Sequence, residues 1–464
     1  MSEAGRPVVW IVAVGLTSRH LVAAPTLGAM AASGSAGPIR GVGPGLTLPA
    51  QATALTGVPP SEHGIVGNGW FHRDTGEVRF WLQSQALVQT PTLEVAARAT
   101  AKARGRPFTA ARVFGWFAQG APVDAMVTPT PFYGSDGSKA FGVHGRPGGL
   151  AEGLERALGP FPFAAFWGPR AGLGSSQWIA SAGAHVLRAH RPTFTVVYLP
   201  HLDYDLQRLG PDHPDTPTRV GELDGCVATV VKAAHTIGAE VTVFSEYGIV
   251  PVRRAVTPNR ALREAGLLAV RDGPYGETLE TFESRAFAVC DHQVAHVHVR
   301  DPADVGRVGD LLRALPGVGR VLAGPERAEL GLDHPRAGDL VALAAPDAWF
   351  AYPYWMDDRR APDFARTVDI HRKPGYDPLE LFVDPALRLP ALRLLRRLTA
   401  KKLGFRYRMD LAPLDPSLVR GSHGLVPADP ADGPFLVSED PRALASVRSL
   451  TDLRDHALGR MGLR

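Results

Sequence analysis

Short apolar runs alternate with helically spaced segments along the first half of the chain. The apolar runs, each typical of a buried strand, are 8–14, 193–200 and 240–245. The segments with helical spacing are 26–34, 49–55, about 178–189 and 217–236. Strands that alternate with helices favour a mostly parallel sheet with helices on both faces. The pattern therefore predicts an α/β fold.

A second unit is predicted between residues 255 and 345. Strand-like runs occur at 295–299, 320–323 and 339–345, and residues 302–317 have helical spacing with a proline at the start and Pro-Gly at the end. We predict a small α+β cap insert at 255–345. The main domain is predicted to comprise 1–254 and 346–464.

Composition changes this picture little. The chain has 464 residues, 45% of them hydrophobic and 21% charged, with a formal net charge of +4, as expected for a soluble globular protein. The two cysteines, Cys226 and Cys290, fit neither a disulfide framework nor a zinc motif, so we expect buried free thiols. No signal peptide or membrane span is recognised, which predicts a cytoplasmic protein.

The positive charge is concentrated in residues 388–408, which contain eight Lys or Arg and no acidic residue. Apolar residues recur within this stretch at helical spacing (Ala391, Leu394, Leu395, Leu398). We predict a basic amphipathic helix. It is either a solvated helix face or a surface for an anionic substrate or a membrane. The mild overall charge gives no reason to expect a nucleic acid polymer as partner.

Thr47 and Asn68 are the first candidates for chemistry, in the stretch "GLTLPAQATALTGVPPSEHGIVGNGWF" (45–71). Thr47 precedes Pro49 at the start of a predicted helix, where a threonine is a good N-cap. A hydroxyl at a helix N-terminus could also attack phosphorus, with backbone amides stabilising the oxyanion. Asn68 is either a turn residue or a second oxyanion donor.

Acidic and histidine side chains follow several predicted strands. His201, Asp203 and Asp205 follow the strand 193–200, and alternation would place all three on one side if the strand continued. Glu246 follows the strand 240–245. Carboxylate and imidazole groups at strand ends could bind a divalent metal ion. The alternative is a solvated loop.

Two further stretches with candidate ligands occur late in the chain. Asp369 and His371 lie in "VDIHRKPGYDP" (368–378), where the adjacent Arg372 and Lys373 could bind a phosphate. His423 lies between small residues in "RGSHGL". A lone histidine is more often structural than a ligand, but the other candidates favour a shared site.

Taken together, these stretches resemble the nucleotide pyrophosphatase/phosphodiesterases of the alkaline phosphatase superfamily. Segment 45–71 resembles their threonine block, including "TG", "HGI" and the step from Thr47 to Asn68. The resemblance implies a three-layer α/β/α sandwich, alkaline-phosphatase-like, with a cap insert. It also implies Thr47 as nucleophile and two zinc ions that bind the phosphate.

Several of the expected metal ligands are replaced. The first-strand Asp of the family falls on Val14, the His of its D-x-x-G-H block on Gln207, and its later Asp-His pair on Glu246 and Tyr247. Asp203 and His423 keep the family residue.

We therefore hypothesise a site with a changed set of ligands that binds a single divalent ion, preferably zinc. Asp203 and His423 would bind the ion, and His371, His201 or Glu246 would complete the site. We therefore predict a metal-dependent hydrolase of small phosphate esters with Thr47 as nucleophile and Asn68 as oxyanion donor. The alternatives are a different enzyme that uses His371 and Asp377, and a non-catalytic protein that binds phosphate esters.

Overall fold

A computed structural model describes residues 5–135, 139–403 and 408–464. Over these residues the strands, numbered in chain order, are β1 Val8–Ala13, β2 Ser35–Pro38, β3 Gly69–His72, β4 Glu77–Phe80, β5 Ala110–Val113, β6 Ala125–Tyr133, β7 Lys139–Arg146, β8 Phe194–Leu199, β9 Glu240–Phe244, β10 Val250–Pro251, β11 Arg254–Val256, β12 Ala269–Gly273, β13 Gly276–Glu280, β14 Ala286–Asp291, β15 Val294–Val299, β16 Val318–Ala323, β17 Leu340–Ala344, β18 Ala348–Phe350, β19 Gly421–Ser422 and β20 Phe435–Ser438. The α-helices are α1 Pro25–Ser33, α2 Thr47–Thr56, α3 Pro60–His63, α4 Leu93–Ala103, α5 Leu150–Leu158, α6 Leu173–His190, α7 His201–Leu209, α8 Thr216–His235, α9 Pro258–Glu264, α10 Val305–Arg313, α11 Pro390–Lys402, α12 Ala443–Ser446 and α13 Leu453–Arg460. None of the helices in these ranges is long and apolar enough to cross a membrane.

The central sheet has eight strands in the order β2-β20-β9-β1-β8-β5-β6-β7. The five strands from β9 to β6 are parallel, and antiparallel strands flank them on both sides. Every residue of β1, β8 and β9 is buried, which is why these strands are continuous apolar runs in the sequence. The predicted α/β fold is confirmed.

Most predicted elements of the main sheet are present, with one instructive exception. His201, Asp203 and Asp205 would have shared one side if the strand at 193–200 had continued, but it ends at Leu199 and helix α7 begins at His201. Pro200 lies at this junction, and proline cannot continue a central strand. Residues two apart on a helix point about 200° away from each other, so the three side chains do not share one side.

Within the stretch predicted as an insert, four strands form a separate antiparallel sheet in the order β14-β15-β17-β16. The helix predicted over 302–317 consists of a 3₁₀ turn at 302–304 followed by α10, which ends at Arg313. The boundaries at 255 and 345 stay a prediction. The basic helix predicted over 388–408 corresponds to α11, and residues 404–407 of that prediction lie outside the described residues.

The carboxyl ends of three neighbouring strands bring the candidate residues together. Val14 follows β1, helix α7 with Asp203 follows β8, and Glu246 and Tyr247 follow β9. In a parallel sheet these ends meet at one edge, where functional residues gather.

Candidate functional site

Thr47 is the first residue of helix α2, and its hydroxyl points at another side chain. Leu46 occupies the N-cap position without a side-chain hydrogen bond, so the predicted capping role of Thr47 is wrong. The buried Thr47 Oγ1 lies 2.9 Å from the phenol oxygen of Tyr247. In this first turn the Leu48 amide donates to Asn68 Oδ1 and Pro49 has no N–H, so it is the partial positive charge of the helix start that would favour an anion beside this hydroxyl.

Thr47 lines a cavity of about 60 Å³ together with candidate and neighbouring site residues. These are Asp203, Tyr247, His292 and His423. The remaining walls are mainly aromatic: Trp81, Trp116, Phe166, Trp167, Tyr198, Tyr204 and Tyr376. Residues that are distant in sequence therefore meet around one small space.

Asp203 is held on two sides by hydrogen bonds. Gln207 Nε2 donates to its Oδ2 at 2.8 Å, and the Tyr247 hydroxyl donates to its Oδ1 at 3.4 Å. Burial raises the pKa of Asp203 to about 7, although both hydrogen bonds act in the opposite direction. The carboxyl group is thus close to its titration midpoint at neutral pH.

His423 faces Asp203 across the cavity. Its Nδ1 lies 2.8 Å from the carbonyl oxygen of Gly45, and since a carbonyl only accepts, Nδ1 carries the proton and donates. The lone pair is therefore on Nε2, which lies 3.9 Å from Asp203 Oδ1. Burial lowers the pKa of His423 well below its usual value, so the ring is neutral, and it stacks on Tyr247 with centroids 3.6 Å apart.

The three other predicted metal ligands contact different groups. His201 Nε2 lies 2.9 Å from Glu222 Oε2. Glu246 is fully buried, accepts a hydrogen bond from Gln51 Nε2 at 2.7 Å, and has a pKa raised well above its usual value by burial. His371 Nδ1 lies 3.2 Å from the carbonyl oxygen of Phe80. Of the predicted ligands, the structure brings only Asp203 and His423 together.

Asp291 and His292, at the tip of the β14–β15 hairpin, are site residues that sequence reasoning missed. His292 has a φ of 56°, which is unusual for a residue other than glycine and often marks a functional position. Its Nδ1 lies 2.8 Å from Asp291 Oδ1, while Nε2 is buried without a hydrogen-bond partner among the described residues. The ring lies against Tyr376 and His423, with both centroid distances at 3.7 Å.

Asn68 links this hairpin to helix α2. Its Oδ1 accepts from the Leu48 amide at 3.1 Å, and its backbone N and Nδ2 donate to Asp291 at 2.8 and 3.1 Å. The Asn68 side chain thus fixes the Asp291 carboxylate, whose pKa burial raises to about 6. Its oxyanion role stays a prediction. The adjacent Asp-His pair in "CDHQV" was the signal that could have identified the hairpin residues.

A second cavity of about 240 Å³ lies beside the first. The two share the walls formed by Trp81, Trp116, Phe166 and Trp167, and the second is further lined by His371 and Asp369. Its mainly apolar lining, in which aromatic and aliphatic side chains are mixed, suits an apolar or planar organic group next to the polar cavity.

Asp203 and His423 are two possible ligands for a divalent ion at this cavity. At two positions where the resemblance places ligands of a second ion, Val14 is a buried apolar residue and Tyr247 directs its hydroxyl to Thr47 and Asp203. The Asp203–His423 separation of 3.9 Å is near the roughly 3.4 Å between two ligands of a tetrahedral zinc ion. The carbonyl that fixes the His423 tautomer is also the usual partner of a metal-binding imidazole.

A different group of acids and a histidine lies at the other edge of the sheet. Among the described residues, Glu240, Asp440 and His456 form the one set whose ligand atoms all lie within 4.8 Å of one another and could hold a metal ion. Arg460 Nε, however, already binds both carboxylate oxygens of Glu240, at 2.9 and 3.0 Å. This set is therefore an ion-pair network remote from the cavity.

Comparisons with known proteins identify relatives of this architecture. A family model described as type I phosphodiesterase / nucleotide pyrophosphatase matches residues 8–377. Among solved structures, phosphonoacetate hydrolase from Sinorhizobium meliloti 1021 is similar at a TM-score of 0.58 and 16% identity, over 99% of this chain and 96% of that one. Murine ectonucleotide pyrophosphatase / phosphodiesterase 5 is similar at 0.57 and 14%, with the same shares covered. At these identities the similarity shows the fold, in agreement with the predicted alkaline-phosphatase-like architecture.

Proposed function

The chain belongs to the type I phosphodiesterase / nucleotide pyrophosphatase family, whose members are hydrolases of phosphoester bonds, and we propose that it hydrolyses small phosphate esters with Thr47 as nucleophile. The observation that carries the proposal is the shared cavity. The Thr47 hydroxyl, Asp203 and His423 all line this one space, as a phosphoryl-transfer site requires.

The hydroxyl of Thr47 is oriented by Tyr247. Because the Tyr247 O–H donates to Asp203, its oxygen accepts the hydrogen bond from Thr47. The lone pairs of Oγ1 are then left for attack on phosphorus. In the proposed reaction, a bond forms between Oγ1 and phosphorus while the ester P–O bond breaks, and the proton that Thr47 loses leaves with the alcohol.

His292 supplies a proton-transfer group for the second step of the proposal. Asp291 fixes Nδ1–H, so the lone pair is on the unpartnered Nε2 of a ring that lines the cavity. Burial lowers the pKa of His292 well below its usual value, so the ring is neutral and Nε2 has a free lone pair for a proton from the water that releases phosphate from Thr47. The water oxygen then bonds to phosphorus, the Thr47 O–P bond breaks, and the threonine hydroxyl is restored.

One divalent ion, zinc for preference, would be bound by Asp203 and His423 and would supply positive charge to a phosphate oxygen. The need for such a charge follows from the lining, because none of the residues lining the described cavity is a lysine or arginine. Burying a phosphate without a countercharge is costly.

The alternative that used His371 and Asp377 as acid and base has little support. Asp377 is paired with the buried Lys373, 2.7 Å from its Nζ, and caps a 3₁₀ turn by accepting from the Leu379 amide. His371 instead contacts the Phe80 carbonyl. The non-catalytic binding alternative remains an outcome of the assay.

The test is hydrolysis of bis-p-nitrophenyl phosphate and of a nucleotide ester by the native protein, Thr47→Ala and Thr47→Ser. We expect turnover by the native protein, loss with alanine and partial retention with serine, because serine keeps the hydroxyl. Activity that survives in Thr47→Ala would contradict the nucleophile assignment. Tight binding of both esters without turnover would favour a binding protein.

We further propose a cytoplasmic location. Cys226 and Cys290 are both buried free thiols, as is typical of proteins from reducing compartments. Fractionation of the native cells should place the protein in the cytoplasm, and recovery from the medium would contradict the proposal.

A further inference from the structure

Helix α11 exposes one continuous face made of leucines and cations. Leu392 and Leu395 are 59% and 60% exposed, and Arg396, which directly follows Leu395, is exposed as well. Lys402 and Leu403 continue the same face three and four residues beyond the exposed Thr399. The spacing i, i+3, i+4, i+7, i+10 and i+11 places these six residues on one side of a helix.

The opposite face of α11 is bound to the rest of the protein by ion pairs, so the exposed leucines point towards solvent. Arg393 and Arg397, both half-buried, form ion pairs with the same carboxylate, Asp410. Arg397 Nη2 lies 3.2 Å from Asp410 Oδ1. The leucine face is therefore directed outward by ion pairs on the other side of the helix.

Charge complementarity identifies what covers this face. The stretch 388–408 has eight Lys or Arg and no acidic residue. Arg388, Arg396 and Lys402 are exposed and form no ion pair with any described residue. Exposed leucines interspersed with cations match a surface that offers anionic groups above hydrocarbon. A nucleic acid offers the negative charge without the hydrocarbon.

We propose that this α11 face docks on the surface of an anionic lipid bilayer. Leucine side chains would insert at the headgroup boundary while Arg388, Arg396 and Lys402 pair with lipid phosphates and carboxylates. The anionic cytoplasmic leaflet of a membrane is such a surface. The proposal does not depend on the hydrolytic function.

The location of α11 makes docking compatible with an accessible site. Arg408, which follows the helix, lies 3.4 Å from Asp363, and Asp384, which precedes it, lies 3.4 Å from Arg366. The segment 363–371 that receives both contacts also contributes Val368 and Asp369 to the wall of the larger cavity. A bilayer held at α11 would therefore lie beside that wall.

The test is co-flotation of the full-length protein with vesicles of phosphatidylcholine alone and of phosphatidylcholine mixed with phosphatidylserine. We expect binding to the mixed vesicles that weakens with added salt, because the attraction is partly electrostatic. Leu392→Ser combined with Leu395→Ser should weaken binding about tenfold or more, given the contribution of buried leucine. Arg396→Glu should weaken it at least about fivefold.

Matched controls separate the docking face from general surface effects. Val22→Ser removes an apolar side chain that is 92% exposed elsewhere, and Arg188→Glu reverses an exposed charge on α6; both should bind as the native protein does. Absence of flotation with phosphatidylserine vesicles would overturn the proposal, and so would equal binding by the double serine variant. Binding to a single-stranded oligonucleotide that is unaffected by the leucine changes, without vesicle binding, would assign the face to nucleic acid instead.

Discussion

The contact between Thr47 and Tyr247 makes Tyr247→Phe the most informative single change. Phenylalanine keeps the ring that stacks on His423, with centroids 3.6 Å apart, and removes only the hydroxyl. That hydroxyl lies 2.9 Å from Thr47 Oγ1 and 3.4 Å from Asp203 Oδ1. The variant thus loses one hydrogen bond at the proposed nucleophile and one at Asp203.

The expected magnitudes follow from burial. A buried polar group that loses its partner costs about 1–3 kcal/mol, so we expect the free energy of unfolding of Tyr247→Phe to fall by that amount. A nucleophile that is no longer held in its attacking direction typically slows the reaction on the order of 10²-fold. We therefore expect kcat for bis-p-nitrophenyl phosphate to fall by about that factor with KM little changed, since the hydroxyl is not part of the aromatic wall.

Steady-state kinetics and denaturant unfolding of the same preparations measure both effects. Tyr198→Phe is the matched control, because Tyr198 also lines the cavity but the described contacts of Thr47 do not include it. A normal kcat in Tyr247→Phe, or an equal fall in Tyr198→Phe, would refute the orienting role of Tyr247.

Two other changes test the metal site and the buried ion pair between Arg112 and Glu94. Gln207→His restores the family residue beside Asp203, and elemental analysis should find more zinc per chain than in the native protein; unchanged metal content would argue against an ion at this place. In the native protein the fully buried Glu94 lies 2.8 Å from Arg112 Nε. Arg112→Met leaves this glutamate without its partner and should lower the free energy of unfolding by about 3–5 kcal/mol. Burial alone would raise the pKa of Glu94, but Arg112 outweighs it and the net shift is downward. The pair therefore stabilises the native protein fully above the unfolded pKa of the glutamate, and this contribution is lost as the pH falls through the lower folded value. Urea unfolding at neutral and acidic pH should show that loss in the native protein and not in Arg112→Met.

Sequence patterns predicted the sheet well because strands that are buried on both faces consist of apolar residues. The strands β1, β8 and β9 are buried on both faces, so their residues are continuous apolar runs. The turn from β8 into α7 was missed because Pro200 and the polar residues after it are compatible with both a loop and a helix start.

The site was only partly predictable, for a reason of geometry. Asp203 lies in the helix that follows β8 of the main sheet, where sequence order indicates position. Thr47 begins helix α2 and His423 follows the short strand β19, and the motifs around them in the sequence identified both. His292 instead reaches the cavity from a hairpin of a different sheet, and no pattern along the chain shows that the two sheets meet there. The replacement of a metal ligand by Tyr247 was visible in the sequence, but its bond to Thr47 was not.

The most direct measurement of the central claim is mass spectrometry of the protein after rapid acid quenching of turnover with bis-p-nitrophenyl phosphate. The account predicts a phosphoester on the peptide that contains Thr47, absent from Thr47→Ala and formed at least as fast as nitrophenol is released in the steady state. Turnover by the native protein with Thr47 unmodified at every quench time, or with the phosphoester on another residue, would contradict it.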